Sequence, residues 1–126
     1  MAKQEIKTDL APPPLGPYSQ GISSGDVVYV AGQVGIDPAT AAAVPGGVVE
    51  QGAQALENVK AILAAAGASM DDVVKATVHV ADLAAFADFN AVYEGYFSEP
   101  RPVRTTVQSG LPGGFLVEID VVAHTG

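Results

Sequence analysis

Arg101 and Arg104 are the only guanidiniums of the chain, and both fall in the stretch Glu99-Pro100-Arg101-Pro102-Val103-Arg104-Thr105-Thr106-Val107. The other cationic side chains are Lys3, Lys7, Lys60 and Lys75. A guanidinium is a rigid planar fork that grips a carboxylate through two parallel hydrogen bonds, which a flexible ammonium does poorly. At the mouth of a β-branched segment in an acidic chain, such a fork points to the binding of one small anion. A second β-branched segment, Phe115-Leu116-Val117-Glu118-Ile119-Asp120-Val121-Val122, carries carboxylates. The chemistry is therefore expected between these two segments. Arg101, flanked by prolines, reads as a solvated rim charge; Arg104, on the strand side of Pro102, reads either as a surface ion-pair partner or as a functional residue paired with Glu118.

Two more polar residues stand where a partner is needed. Tyr18 lies in the rigid run Leu10-Ala11-Pro12-Pro13-Pro14-Leu15-Gly16-Pro17-Tyr18-Ser19-Gln20-Gly21, placed to pack or to donate a hydrogen bond. Asn90 interrupts a stripe of aromatic residues, and a polar group there must find a partner if buried. Other chemistries are poorly served. His79 and His124 are the only histidines and lack a paired ligand spacing, so no metal site is expected. Asp71-Asp72 reads as a turn, because it lacks the alternating oxygen ligands and following Gly of a calcium loop. Neither Gly46-Gly47 nor Gly113-Gly114 is followed by the Gly-Lys-Ser/Thr of a phosphate loop. Ser19, Ser23 and Ser24 lack a nucleophile-elbow context. The absence of Cys removes disulfides, thiolate ligands and a cysteine nucleophile.

Certain elements must hold these residues. The Pro-rich run is extended or turn-like, since Pro fixes φ and removes donors. After the turn at Gly25-Asp26, Val27 to Ala31 has the β-branched content of a strand ended by Gly32. Residues 35–47 read as a loop. Val49, Ala53, Leu56, Val59, Ile62, Leu63 and Ala66 recur at a 3.6-residue rhythm, which predicts a helix over 48–66 stopped at Gly67. Val73 to Val80 alternates, with Val74, Ala76, Val78 and Val80 on one side. Asp82 is placed to cap a second helix through Leu83, Phe86, Phe89, Asn90, Tyr93, Tyr96 and Phe97, ended by Glu99-Pro100. Arg104 to Gln108 and Leu116 to Ala123 complete the strands. The order predicts an α+β fold, a single mixed sheet with two helices packed on one face, in one domain spanning residues 1–126. One sheet face is then left uncovered, and a second copy of the chain is the common way to cover it.

The bulk composition narrows the function classes. A chain of 126 residues is long enough to bury about two-thirds of its unfolded surface. A hydrophobic content of 48% argues against disorder. The formal charge of −8 repels phosphate backbones, so nucleic acid is not an expected partner. No apolar run approaches the ~20 residues needed to span a bilayer, and the N-terminal residues lack the apolar core of a signal peptide. The expectation is a cytoplasmic protein with no membrane partner.

Six segments in order carry a resemblance: Leu15-Gly16-Pro17-Tyr18-Ser19-Gln20-Gly21, Val30-Ala31-Gly32-Gln33, Leu56-Glu57-Asn58-Val59-Lys60, Phe89-Asn90-Ala91-Val92-Tyr93-Glu94, Pro102-Val103-Arg104-Thr105-Thr106-Val107 and Val117-Glu118-Ile119-Asp120. They closely resemble the signature segments of the RidA (YjgF/YER057c/UK114) family, over about residues 6 to 124. The resemblance implies a chorismate-mutase-like α+β protomer, a homotrimer with sites in the clefts between subunits, and no cofactor. It implies hydrolysis of reactive 2-imino acids, or their enamine tautomers, to 2-keto acids and ammonia. Carried over position by position, Arg104 matches the arginine that clamps the substrate carboxylate. Glu118 matches the acidic residue that positions or activates water. Tyr18 and Asn90 match pocket-lining residues, and Gly32 a backbone position beside the substrate. Thr106 stands where some members have Cys, and Thr105 where Ser is frequent. Ala31 departs from the Ser of well-known deaminases, which bears on substrate range and rate.

Three alternatives remain open from the sequence. The same cleft could hold a 2-keto acid or another small carboxylate and regulate a partner without turnover. The substrate could be another enamine acid of the aminoacrylate type. Endoribonuclease activity, attached to parts of the family, is opposed by the acidic charge.

Overall fold

The computed structural model describes residues 2–126. Its strands are β1 (Gln4–Ile6), β2 (Gly21–Ser24), β3 (Val27–Gln33), β4 (Ile36–Asp37), β5 (Ala42–Ala43), β6 (Val73–Val80), β7 (Val103–Gln108) and β8 (Val117–His124). Its helices are α1 (Val48–Ala65) and α2 (Phe86–Glu94). Six strands form one sheet in the order β1-β2-β3-β8-β6-β7, and β4 pairs with β5 in a small ribbon. Every pair in the large sheet is antiparallel except β6 and β7, which run parallel and are joined through α2. A parallel pair needs such a crossover, because a tight turn can only reverse the chain. The fold is α+β with a mixed sheet, as the sequence predicts.

Both helices cover the same sheet face. Leu56, Val59, Ile62 and Leu63 of α1 and Phe89 of α2 are fully buried against Ala76, Val78, Val80, Val117, Ile119 and Val121. Along β8 the buried residues alternate with half-buried Glu118, Asp120 and Val122, the two-residue period of a strand with one face in the core. The opposite face keeps Tyr29, Val103 and Val107 exposed. Their register partners Val122, Lys75 and His79 share that face.

Local chemistry sets the ends of α1. The Glu50 carboxylate accepts from the Gly47 N–H at 2.7 Å, satisfying a donor at the helix start. At the other end Gly67 adopts φ +77°, while the Ala68 N–H bonds Leu63 O and the Gly67 N–H bonds Ala64 O. These are the two bonds of a Schellman stop, and the positive φ suits Gly.

Several expectations are corrected. Val74 does not share the face of Ala76: the register shifts between Val73 and Lys75, and the extra residue turns Val74 outward at 49% exposure. Asp82 caps a short turn of 3-10 helix over Leu83–Ala85 by accepting from the Ala84 N–H, rather than capping α2 itself. The second helix closes at Glu94, so Tyr96 and Phe97 lie beyond it. Strands β1, β2, β4 and β5 had no β-branched run to announce them.

Candidate functional site

Arg104 lies on edge strand β7 opposite Ala76 of β6, and Thr106 lies opposite Val78. Neighbours across a ladder point the same way, so Arg104 and Thr106 belong to the helix-covered face. There α2 meets them. The Arg104 Nη1 donates to Asn90 Oδ1 at 2.8 Å, and the guanidinium carbon lies over the rings of Phe86 (5.3 Å to the centroid) and Tyr93 (4.7 Å). Phe86, Asn90 and Tyr93 are four and three residues apart and so share one helical stripe. Asn90, Tyr93, Glu94, Arg101, Pro102 and Arg104 line an open cavity of about 440 Å³.

Among the described residues Arg104 has no ion-pair partner, whereas Arg101, its side chain 42% exposed, bonds the largely solvated Glu99 at 2.9 Å. The two arginines thus divide as inward fork and rim charge. Two hydroxyl oxygens nearby, Tyr93 Oη and Thr106 Oγ1, are buried and have no hydrogen-bond partner among the described residues. Burial pushes the Tyr93 phenol above its ordinary pKa, and the charges of Arg104 and Arg101 partly offset that.

Glu118 stands elsewhere. It pairs with His79 across β8 and β6, on the face the helices leave open. With Leu15, Tyr18, Gly32, Val34, Ile36, Pro112 and Phe115 it lines a cavity of about 280 Å³. Two devices place its neighbours there. The ladder of β3 and β8 carries one extra β3 residue between Val30 and Gln33, a bulge that brings Gly32 against Glu118. A Cβ on Gly32 would collide with the Glu118 carboxylate, so this close approach requires Gly. The buried Gln20 side chain accepts from the Thr8 N–H and donates to Ala11 O and Pro12 O, holding the Pro-rich segment that carries Tyr18. The Tyr18 hydroxyl accepts from the Leu15 N–H at 3.2 Å.

Asp120, two residues along β8, shares the open face and pairs with Thr77. Burial raises its carboxyl above the usual range, while His79 and then Lys75 pull it down. The His79 ring nitrogen is 3.1 Å from Ser109 Oγ.

The expected site residues therefore fall into two groups. Tyr18, Gly32 and Glu118 share one cavity; Asn90 and Arg104 share another, with Thr106 next along the same face of β7. The expectation that the Arg104 and Glu118 segments face each other is not met within one chain, because the two side chains occupy opposite faces with β6 between their strands. Sequence reasoning missed Phe86 and Tyr93 as neighbours of Arg104. Their spacing from Asn90 was the available signal, but an aromatic stripe reads first as core.

Comparison with known proteins is consistent along nearly the whole chain. Residues 8–125 match the family model described as endoribonuclease L-PSP. A RutC family protein of Pyrococcus abyssi is 50% identical over 98% of each chain. The 2-iminobutanoate/2-iminopropanoate deaminase of Mus musculus is 44% identical over 98% of this chain and 93% of its own. The crystal structure of E. coli TdcF with bound serine superposes with a TM-score of 0.92 at 38% identity, covering 98% of this chain and 99% of that one.

Proposed function

The chain belongs to the endoribonuclease L-PSP family, the RidA (YjgF) family of the resemblance, and from that premise we propose that it hydrolyses reactive 2-imino acids to 2-keto acids and ammonia. One observation carries the reading: Arg104, unpaired by any carboxylate among the described residues, is held by Asn90 at the wall of an open cavity. A fixed fork with free donors is suited to a small carboxylate. The 44%-identical mouse relative bears the name of a 2-iminobutanoate/2-iminopropanoate deaminase, and TdcF holds a bound serine.

The site is shared between subunits. Arg104, Asn90 and Thr106 of one protomer meet Tyr18, Gly32 and Glu118 of another in a cyclic homotrimer whose protomers bury the open sheet face. Exposed Tyr29, Val103 and Val107 on that face support the arrangement.

In the reaction the substrate carboxylate lies in the Arg104 fork with its iminium carbon toward Glu118. Glu118 accepts a proton from water as the water oxygen bonds to that carbon, giving a tetrahedral carbinolamine. The proton passes to the amine nitrogen and the C–N bond breaks. Ammonia leaves as the hydroxyl gives its proton to the Glu118 carboxylate and becomes the ketone, and water has supplied the new oxygen; Glu118 then returns that proton to solvent. Holding both reactants converts encounter into orientation. Imine hydrolysis is already facile, so lowering the barrier by a few multiples of ~1.4 kcal/mol, tenfold each, suffices. The net charge of −8 weighs against phosphate-backbone substrates.

The test is ammonia and 2-ketobutanoate formation when 2-iminobutanoate is generated in situ. Wild type accelerates it and Arg104→Ala, still folded, does not. No acceleration by wild type overturns the reading; saturable 2-ketobutanoate binding without turnover replaces it with a regulatory binding module.

A further inference from the structure

We propose that Phe86 and Tyr93 are positioning residues: their ring faces form an aromatic seat that fixes the plane of the Arg104 guanidinium and leaves its remaining donors to grip the substrate carboxylate. The proposal rests on the reading of Arg104 as the carboxylate clamp. An arginine on an edge strand has four rotatable side-chain bonds and would sample many orientations. Three contacts from α2 remove that freedom. Asn90 takes one Nη1 hydrogen at 2.8 Å, and the guanidinium carbon lies 5.3 Å and 4.7 Å from the Phe86 and Tyr93 ring centroids. Both distances are within the ~6 Å reach of a cation–π contact.

The seat is itself fixed. Tyr93 is 6% exposed and packs its ring on Phe89 (centroids 5.8 Å apart) and Phe97 (4.5 Å). Its hydroxyl is buried without a hydrogen-bond partner. Among the described residues nothing bonds that hydroxyl, so the ring face is what Tyr93 offers to Arg104. A guanidinium has five N–H donors in one plane. With one committed to Asn90, four remain, all in the plane that the rings orient. A carboxylate approaching in that plane meets donors already aligned, and less entropy is lost on binding.

A clamp that holds substrate and transition state alike shows itself in KM more than in kcat. Tyr93→Leu and Phe86→Leu should each raise KM for 2-iminobutanoate by about tenfold with a smaller change in kcat. They should weaken calorimetric binding of 2-ketobutanoate by a similar factor. Tyr93→Phe keeps the ring and should rescue KM to within about threefold of wild type. A second readout is independent of turnover. The Arg104 Nε–H proton resonance should be displaced by ring currents in wild type and Tyr93→Phe, and return toward the value of a solvated arginine in the leucine variants. Phe86 is only partly buried, so Phe86→Leu carries the test if Tyr93→Leu does not fold. Leucine variants with wild-type KM and an unmoved Arg104 resonance overturn the proposal. So does Tyr93→Phe as damaged as Tyr93→Leu, which would assign the effect to the hydroxyl. If wild type neither turns over imine nor binds 2-ketobutanoate, the clamp reading fails, and the resonance alone decides whether the seat exists.

Discussion

Arg104 and Glu118 project from opposite faces of one sheet. Arg104 sits beside Ala76 on the helix-covered face, and Glu118 sits beside His79 on the open face, with β6 separating their strands. A sheet with a packed core on one side does not let a side chain cross to the other. For these two groups to act on one small molecule, the Glu118 face of one chain must meet the Arg104 edge of another. The edge position of β7 makes this feasible, since an edge strand is reachable by a neighbour where a central strand is not.

Subunit complementation follows from that arrangement. Arg104→Ala and Glu118→Ala homo-oligomers should each be inactive in imine hydrolysis. Co-refolded in equal amounts, they should regain about one-quarter of wild-type activity, because random assembly gives that share of interfaces both intact groups. Mass spectrometry confirms that mixed oligomers formed. Mixed oligomers that remain inactive would show that a shared cleft is not how the pair works.

Gly32→Ala tests the Glu118 half alone. The added Cβ meets the Glu118 carboxylate, which must swing away while the bulged backbone of β3 stays in place. General acid–base groups contribute about 10²–10⁴ in rate, so a displaced Glu118 should cost at least about tenfold in kcat. The melting temperature should move by only a few degrees, since Glu118 is a half-buried side chain with room to turn. Unchanged kcat would mean that Glu118 is not acting from this position.

What was legible in the sequence were the elements with strong periodicity. The rhythm of Leu56, Val59, Ile62 and Leu63 fixed α1 to within a residue or two, and alternation fixed β8, because in both the core demands one repeated side. The short strands β1 and β2 were not legible: Gln4–Ile6 and Gly21–Ser24 owe their conformation to the ladder they join rather than to their own residues. The outward turn of Val74 is not legible, because a bulge changes the period without changing composition. Arg104 and Glu118 were legible as residue types in unusual places. Their separation onto opposite faces was not, since it depends on which strand lies between β7 and β8. The role of Phe86 and Tyr93 was hidden for a related reason: the pattern that makes a core stripe also makes a seat for a cation.

Alkaline stability isolates a tie between α1 and the segment after α2 that takes no part in the site. The Tyr96 hydroxyl donates to Glu57 Oε2 at 2.6 Å, joining the segment after α2 to α1. Burial, followed by the hydrogen bond and the charge of Glu57, raises the Tyr96 pKa from 10.0 to about 12. The folded state therefore keeps this proton at pH values where the unfolded chain has lost it. More protons on the folded than on the unfolded state means that stability falls as pH rises. The contribution of this tie is fully present below pH 10 and is lost progressively toward pH 12. Tyr96→Phe should lower stability by about 1 kcal/mol at neutral pH, the usual net worth of such a bond. It should also remove part of the fall in stability between pH 10 and 12, so that the two proteins converge at the alkaline end. Denaturant titrations at pH 7, 10 and 11.5 would measure both effects. A stability difference that is constant across that range would show that the hydroxyl proton is not what the tie depends on.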